Sequence, residues 1–247
     1  MTILKRQNRS RLLTMVLMAM IVFAIELPSA WSQQMVGGRK YNSGNKFHHL
    51  LNQRTPPGVA GQWAAMSGLV QAGYIQPMQV SLPSKGVVTF FAGGPNQTIQ
   101  KSSPAPIGFS VGYVYRVKLS GMPEFPGVEI YPTIELIDRL HPPAGLVEAY
   151  PVPISFSQED IELALSGRMV TKVIYLERPQ TAVPVKYDKQ PTIAISGRKN
   201  LIAEADLLGR PMAILRIGGR LPSTQGEDPD FYRSGAPIVE LNKSRTK

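Results

Sequence analysis

Ser110 stands in Gly108-Phe109-Ser110-Val111-Gly112, which matches the G-x-S-x-G pattern of serine nucleophiles. That chemistry needs a strand before the serine and a helix after it, so that the hydroxyl sits on a sharp turn. Here a Pro-rich segment precedes Ser110 and a strand-like run follows. The acid and base downstream are Asp138 and His141, too close along the chain for the usual hydrolase core. Glycines at a strand entry explain the match without catalysis. Ser196-Gly197-Arg198-Lys199 fits S-x-x-K of serine acyl-enzymes, yet the companion S-D-N and K-T-G motifs are missing. Gly197 also weakens the helix that such a serine must head, and a solvated basic turn fits better. No catalytic residue is assigned.

Metal chemistry has little material. The chain has no cysteine and three histidines, His48, His49 and His141. Adjacent histidines do not share one face of a helix. Asp138, His141 and Glu135 are the one group near in sequence, while zinc usually takes at least three protein ligands with a supporting outer shell. No metal and no cofactor is expected. The glycine pairs Gly93-Gly94 and Gly218-Gly219 lack phosphate-loop spacing. Glu129 and Glu135 share a strand face six residues apart, roughly 20 Å at strand rise, too far to act on one glycosidic bond. Asn96-Gln97-Thr98 is a glycosylation sequon that matters only in a eukaryotic secretory host.

Binding is better supplied. Val111, Tyr113, Tyr115, Val117 and Leu119 alternate as a strand with one buried face, and Val128, Ile130, Ile134 and Leu136 do likewise. The turn-rich Ser120–Gly127 segment joins them into a long hairpin. Pairing Leu119 with Val128 sets Lys118 opposite Glu129 and Arg116 opposite Tyr131 on the outer face, favourable cross-strand pairs. Arg116, Lys118 and Tyr131 are therefore the candidate binding residues, with Tyr131 a surface aromatic. Tyr113 and Tyr115 belong to the core.

The elements that must hold these residues are short strands between Gly and Pro turns, with 22 of each residue in 247. Further strands are read at Met78–Leu82, Val87–Phe91, Val152–Phe156, Thr192–Ile195 and Met212–Ile217. Met169–Leu176 is apolar on both faces and is placed centrally in a sheet. Gly93–Pro106 reads as loop. A short helix is expected within Trp63–Tyr74. Another starts after Ser157, whose hydroxyl can cap it, with Glu159 and Asp160 at the positive end of its dipole. A third is Leu201–Leu208, stopped by Gly209. Ile238–Leu241 is expected to pair at an edge, the rest of the tail being disordered. The reading is mainly β: a single β-sandwich or partly open barrel with one or two short helices, a flexible N-terminal arm and a C-terminal tail.

Residues 1–32 read as a secretory signal. Lys5, Arg6, Arg9 and Arg11 precede an apolar run from Leu12 to Ile25, shorter than the roughly 20 residues that span a bilayer. Ala30 and Ser32 occupy the −3 and −1 sites of a cut before Gln33. Residues 33–75 form a polar arm with a possible short helix, 76–219 the β-rich domain, and 220–247 the tail. The whole chain carries +10. Residues 33–247 keep 23 Lys and Arg against 16 Asp and Glu, or +7. Nucleic acid is not an expected partner outside the cytosol. Scattered positive charge instead suits weak attraction to anionic envelope polymers, or simply solubility. With no cysteine, disulfides are excluded.

The stretch Gly127-Val128-Glu129-Ile130-Tyr131-Pro132-Thr133-Ile134-Glu135 through His141-Pro142 resembles uncharacterised secreted bacterial envelope proteins. So do Phe156–Tyr175 and Gly209-Arg210-Pro211 through Gly219. The resemblance implies an envelope setting, periplasmic or extracellular, and supplies no activity. The expected function is an exported, non-enzymatic interaction module for an envelope protein or anionic surface polymer, with no membrane-spanning segment after the signal. The alternatives are a hydrolase of envelope glycans or esters and a small-ligand-binding domain.

Overall fold

A computed structural model describes residues 50–52, 54–68, 70, 73–178, 180, 182, 191–224, 228–232 and 236–241. All lie in the unit His48–Lys247. The signal segment, with Ala30, Ser32 and Gln33, and the pair His48 and His49 fall outside the described residues.

Among the described residues, ten strands make two sheets. In chain order the elements are α1 (Val59–Met66), β1 (Ile75–Ser81), β2 (Val87–Gly94), β3 (Gln97–Ser102), β4 (Ala105–Ser110), β5 (Val114–Ser120) and β6 (Thr133–Leu136). A 3-10 turn at Val147–Ala149 leads to β7 (Val152–Ser155), α2 (Gln158–Leu165) and β8 (Val170–Glu177). Then come α3 (Leu201–Leu208), β9 (Gly209–Ile217), α4 (Pro229–Tyr232) and β10 (Ile238–Val239). One sheet has the order β10-β4-β1-β7, the other β3-β2-β5-β6-β9-β8. The fold is mainly β and sandwich-like, with no closed barrel. No helix among the described residues is long and apolar enough to cross a membrane.

The two sheets face each other across one core. Met78, Val80, Ile107 and Phe109 enter it from the smaller sheet. Phe90, Tyr115, Val117, Leu119, Ile134, Leu136, Leu215 and Ile217 enter from the larger. Burying each large side chain contributes about 1.5–3 kcal/mol. The Tyr115 ring stacks on Phe109 with centroids 3.8 Å apart. Its hydroxyl accepts from the Ser110 N–H at 2.7 Å and reaches the Pro237 carbonyl at 3.0 Å. Burial pushes that phenol far above its ordinary pKa. Period-two alternation in β5 puts Arg116 and Lys118 on the opposite, outer face.

The helices start where the sequence offers caps. Ser157 Oγ accepts the Asp160 N–H and Asp160 Oδ2 accepts the Ser157 N–H, a capping box. Helix α2 carries the chain from the smaller sheet to the larger. Asn200 Oδ1 caps α3 through the Ile202 N–H and also accepts from the Leu51 N–H. Helices α1 and α3 cover the outer face of the larger sheet, packing Ala60, Ala64 and Ile202 against Ile137 and Ile214.

Five expectations about elements are corrected. Met169–Leu176 lies at an edge, because among the described strands β8 pairs only with β9; the larger sheet's core and α3 pack against its two faces. Gly93–Pro106, read as loop, contains β3 and the start of β4. Thr192–Ile195 is not a strand; its residues are exposed or half-buried. The helix read within Trp63–Tyr74 runs from Val59 to Met66. Tyr113, assigned to the core, is 45% exposed: β4 ends at Ser110, and Gly112, at φ +89°, turns the chain into β5 in the other sheet.

Candidate functional site

The outer face of the larger sheet carries a row of polar side chains. Arg116 on β5 pairs with Thr133 on β6, Thr133 with Arg216 on β9, and Arg216 with Thr171 on β8. Residues opposed in a ladder share a face, so the four line up across four strands. Arg116, Thr133 and Arg216 are 9%, 2% and 4% exposed. One row along, Glu135 lies between Val114 and Ile214 and is fully buried.

Glu135 is held from both sides. Arg216 Nη1 donates to its Oε2 at 2.6 Å, and the backbone N–H of Gly61 in α1 donates to its Oε1 at 2.7 Å. Gly61 is required by this approach, since a Cβ there would fall 2.7 Å from the Gly112 carbonyl oxygen. A buried ion pair repays its desolvation only when its remaining polar groups are also bonded. Glu135 meets that condition. Arg216 does not: among the described residues its Nε and Nη2 are buried without a hydrogen-bond partner, as is the Thr171 hydroxyl.

At the other end of the row, the C-terminal segment sits on Arg116. Arg116 Nε donates to the Phe231 carbonyl at 2.9 Å and Nη1 to the Tyr131 carbonyl at 2.7 Å. Its guanidinium lies 4.4 Å from the centroid of the Phe231 ring, an attractive arrangement. Phe231 is itself fully buried, edge-on to Tyr131, while Phe91 stacks on Tyr131. Lys118 pairs with Glu129 at 2.8 Å, and the Tyr131 hydroxyl donates to the other oxygen of Glu129 at 2.7 Å. The Lys118 hydrogen bond, and then that from Tyr131, holds the Glu129 carboxyl below its usual range. Burial, and then the same bond to Glu129, raises the Tyr131 phenol.

The structure thus brings Arg116, Lys118 and Tyr131 together on the outer face, with two corrections. Tyr131 is not a surface aromatic; at 7% exposed it lies beneath α4. The register is also two residues away from the expected one: Leu119 meets Ile130, not Val128, and Arg116 meets Thr133, not Tyr131. A shift of two keeps every side chain on its face, so Lys118 still reaches Glu129. Of the three candidates, Lys118 is the most exposed.

The residues considered for catalysis have other partners. A strand, β4, does precede Ser110, contrary to the loop expected there, but a strand also follows it. Asp138 Oδ2 approaches Arg210 Nε at 3.4 Å, His141 Nδ1 approaches Arg210 Nη1 at 3.3 Å, and Arg210 Nη2 donates to the Arg139 carbonyl. Asp138 and His141 therefore converge on an arginine. Lys199 pairs with Glu204, and its N–H closes a turn on the Ser196 carbonyl. Among the described residues no group of three or more His, Cys, Asp or Glu is placed to hold a metal ion.

Arg216, Thr171 and Thr133 were not singled out from the sequence. The available signal was a charged residue inside each of two otherwise apolar strands: Glu135 in Thr133–Leu136 and Arg216 in Met212–Ile217. Comparison with protein-family models, curated proteins and solved structures finds no match for this chain.

Proposed function

We propose that the protein is an exported, non-enzymatic interaction module that docks on an envelope protein or an anionic surface polymer. The observation that carries this reading is how the chemically capable groups are used. Asp138, Glu135 and Lys199 are each engaged in ion pairs and His141 lies against Arg210, while Ser110 sits between two strands with its backbone N–H on the Tyr115 hydroxyl. No pair of them forms the nucleophile–base contact that acyl transfer requires. The basic excess and the apolar run behind four basic residues at the N-terminus support export and an anionic surface. Exposed positive side chains such as Arg54, Lys85, Arg168 and Arg198 are spread along the chain, which suits diffuse docking over a deep pocket.

The test is sedimentation of the purified chain with envelope fractions over a salt series. Binding that weakens steeply with salt is expected for docking on an anionic polymer. Saturable, salt-resistant binding supports the protein-partner form of the proposal, with the partner identified by cross-linking. Absence of binding at low salt overturns both forms.

A further inference from the structure

The outer-face row contains hydrogen-bonding capacity that the protein itself does not use. Arg216 has five N–H donors, and its side chain is 3% exposed. One donor, on Nη1, goes to Glu135. The Nε and Nη2 atoms have no partner among the described residues and are out of contact with solvent. These two atoms carry the parallel N–H bonds of the side-on edge of a guanidinium, the geometry that grips two oxygens of one oxyacid group. The neighbouring Thr171, directly across the ladder, has a buried hydroxyl with no partner either. Thr133 flanks Arg216 on the other side. Leaving buried donors unmade is costly, and more so for charged groups. Two strands side by side both bear this cost at one place. Thr171 lies on β8, the edge strand, and is half-buried, so the row ends at a sheet margin.

We infer that Arg216 and Thr171 form a receptor for one oxyanion group, gripped by the Nε/Nη2 edge of Arg216 and the hydroxyl of Thr171. The recognised chemistry is two acceptor oxygens carrying negative charge. Two sources present it, a planar carboxylate and a tetrahedral phosphate or sulfate. Glu135 on Nη1 holds the guanidinium and leaves its Nε/Nη2 edge free, and α1 fixes Glu135 through Gly61. Arg216 and Thr171 act here by binding; no reaction is implied. This inference goes beyond surface docking and does not depend on it, because the groups involved are buried and the exposed cations are elsewhere.

The experiment uses the purified chain and its Arg216→Lys and Thr171→Val variants. Sodium acetate, sulfate and phosphate are titrated at constant ionic strength set by sodium chloride, with thermal unfolding and calorimetry as readouts. Specific binding raises Tm by roughly 3–6 °C for each tenfold increase in anion above the dissociation constant. Arg216→Lys retains the charge that pairs with Glu135 and loses the fork, so affinity should fall at least about tenfold. Thr171→Val keeps the shape and suits a strand; it should weaken binding about three- to tenfold while folding normally. Sulfate and phosphate stabilise many proteins by exclusion from the surface, and that effect is equal in all three proteins. A response to acetate assigns the carboxylate, and a response to sulfate or phosphate alone assigns the tetrahedral group. No calorimetric signal with any anion, or Tm shifts identical in wild type and Thr171→Val, overturns the inference. Envelope sedimentation is scored separately, so either result stands without the other.

Discussion

At the scale of residues, the outer face is an arrangement of charges placed where a β-sheet usually keeps apolar or solvated groups. Glu129 shows how such a group couples to stability. Its carboxyl is stabilised in the charged form by Lys118 and Tyr131, so its pKa is lower folded than unfolded. A lowered carboxylate contributes stability above the unfolded pKa and loses it as pH falls through the folded value. Wild type should therefore melt above Glu129→Gln at about pH 7, and the gap should close toward about pH 3. Thermal melts of both proteins across that range test this; a gap independent of pH would mean that Glu129 acts through packing alone. Much of this local chemistry was legible in sequence. Lys118 and Glu129 follow from alternation and opposite charge, and both survive the two-residue register shift because face is conserved under even shifts. Tyr131 was misplaced for a different reason. Alternation tells which face a side chain takes, and that face is open or closed according to what distant chain lies on it.

At the scale of elements, the distant chain is the C-terminal segment. Its two described parts serve different sheets. Helix α4 inserts Phe231 against Arg116 and Tyr131 on the larger sheet, and β10 extends the smaller sheet beside β4, opposite Phe109 and Gly108. Lys101 secures its end through Glu240 and the Leu241 carbonyl. Pairing at Ile238 was readable as a β-branched pair among polar residues; the docking of Phe231 was not, because the single aromatic pair Phe231-Tyr232 in a Pro-broken tail has no period. The same limit explains β8, where two covered faces resemble a central strand although one edge is unpaired. Phe231→Ala should cost up to about 3–5 kcal/mol of docking, and the loss should be local. Amide exchange at Ile238–Leu241 should accelerate about tenfold or more while Ile214–Ile217 in β9 stays protected. Uniform acceleration in both segments would show that the C-terminal segment and the sheets unfold as one unit.

At the scale of the molecule, the C-terminal segment covers two surfaces that the sheets would otherwise leave open. Without it the β4 edge would present unpaired backbone groups, and Phe91 and Tyr131 would form an open aromatic floor beside Arg116. Among the described residues β3, β7 and β8 each keep one edge unpaired. Open strand edges and apolar patches recruit further copies of a chain. The sandwich core itself draws its large buried side chains from β1, β2, β4, β5, β6, β7, β9 and α2, and the C-terminal segment adds only Ala236 and the partly buried Ile238. A chain ending before Asp228 should therefore still fold, with a cooperative melt at lower temperature, and should self-associate in proportion to concentration. Sedimentation velocity over a concentration series, with far-ultraviolet circular dichroism on the same samples, separates the possibilities. A folded truncation that stays monomeric would show that β4 and the aromatic floor are not sticky by themselves. A truncation that fails to fold would place the C-terminal segment among the elements the sandwich needs. In the expected case, its role is to close surfaces that the two sheets, built first by alternation and turns, leave open.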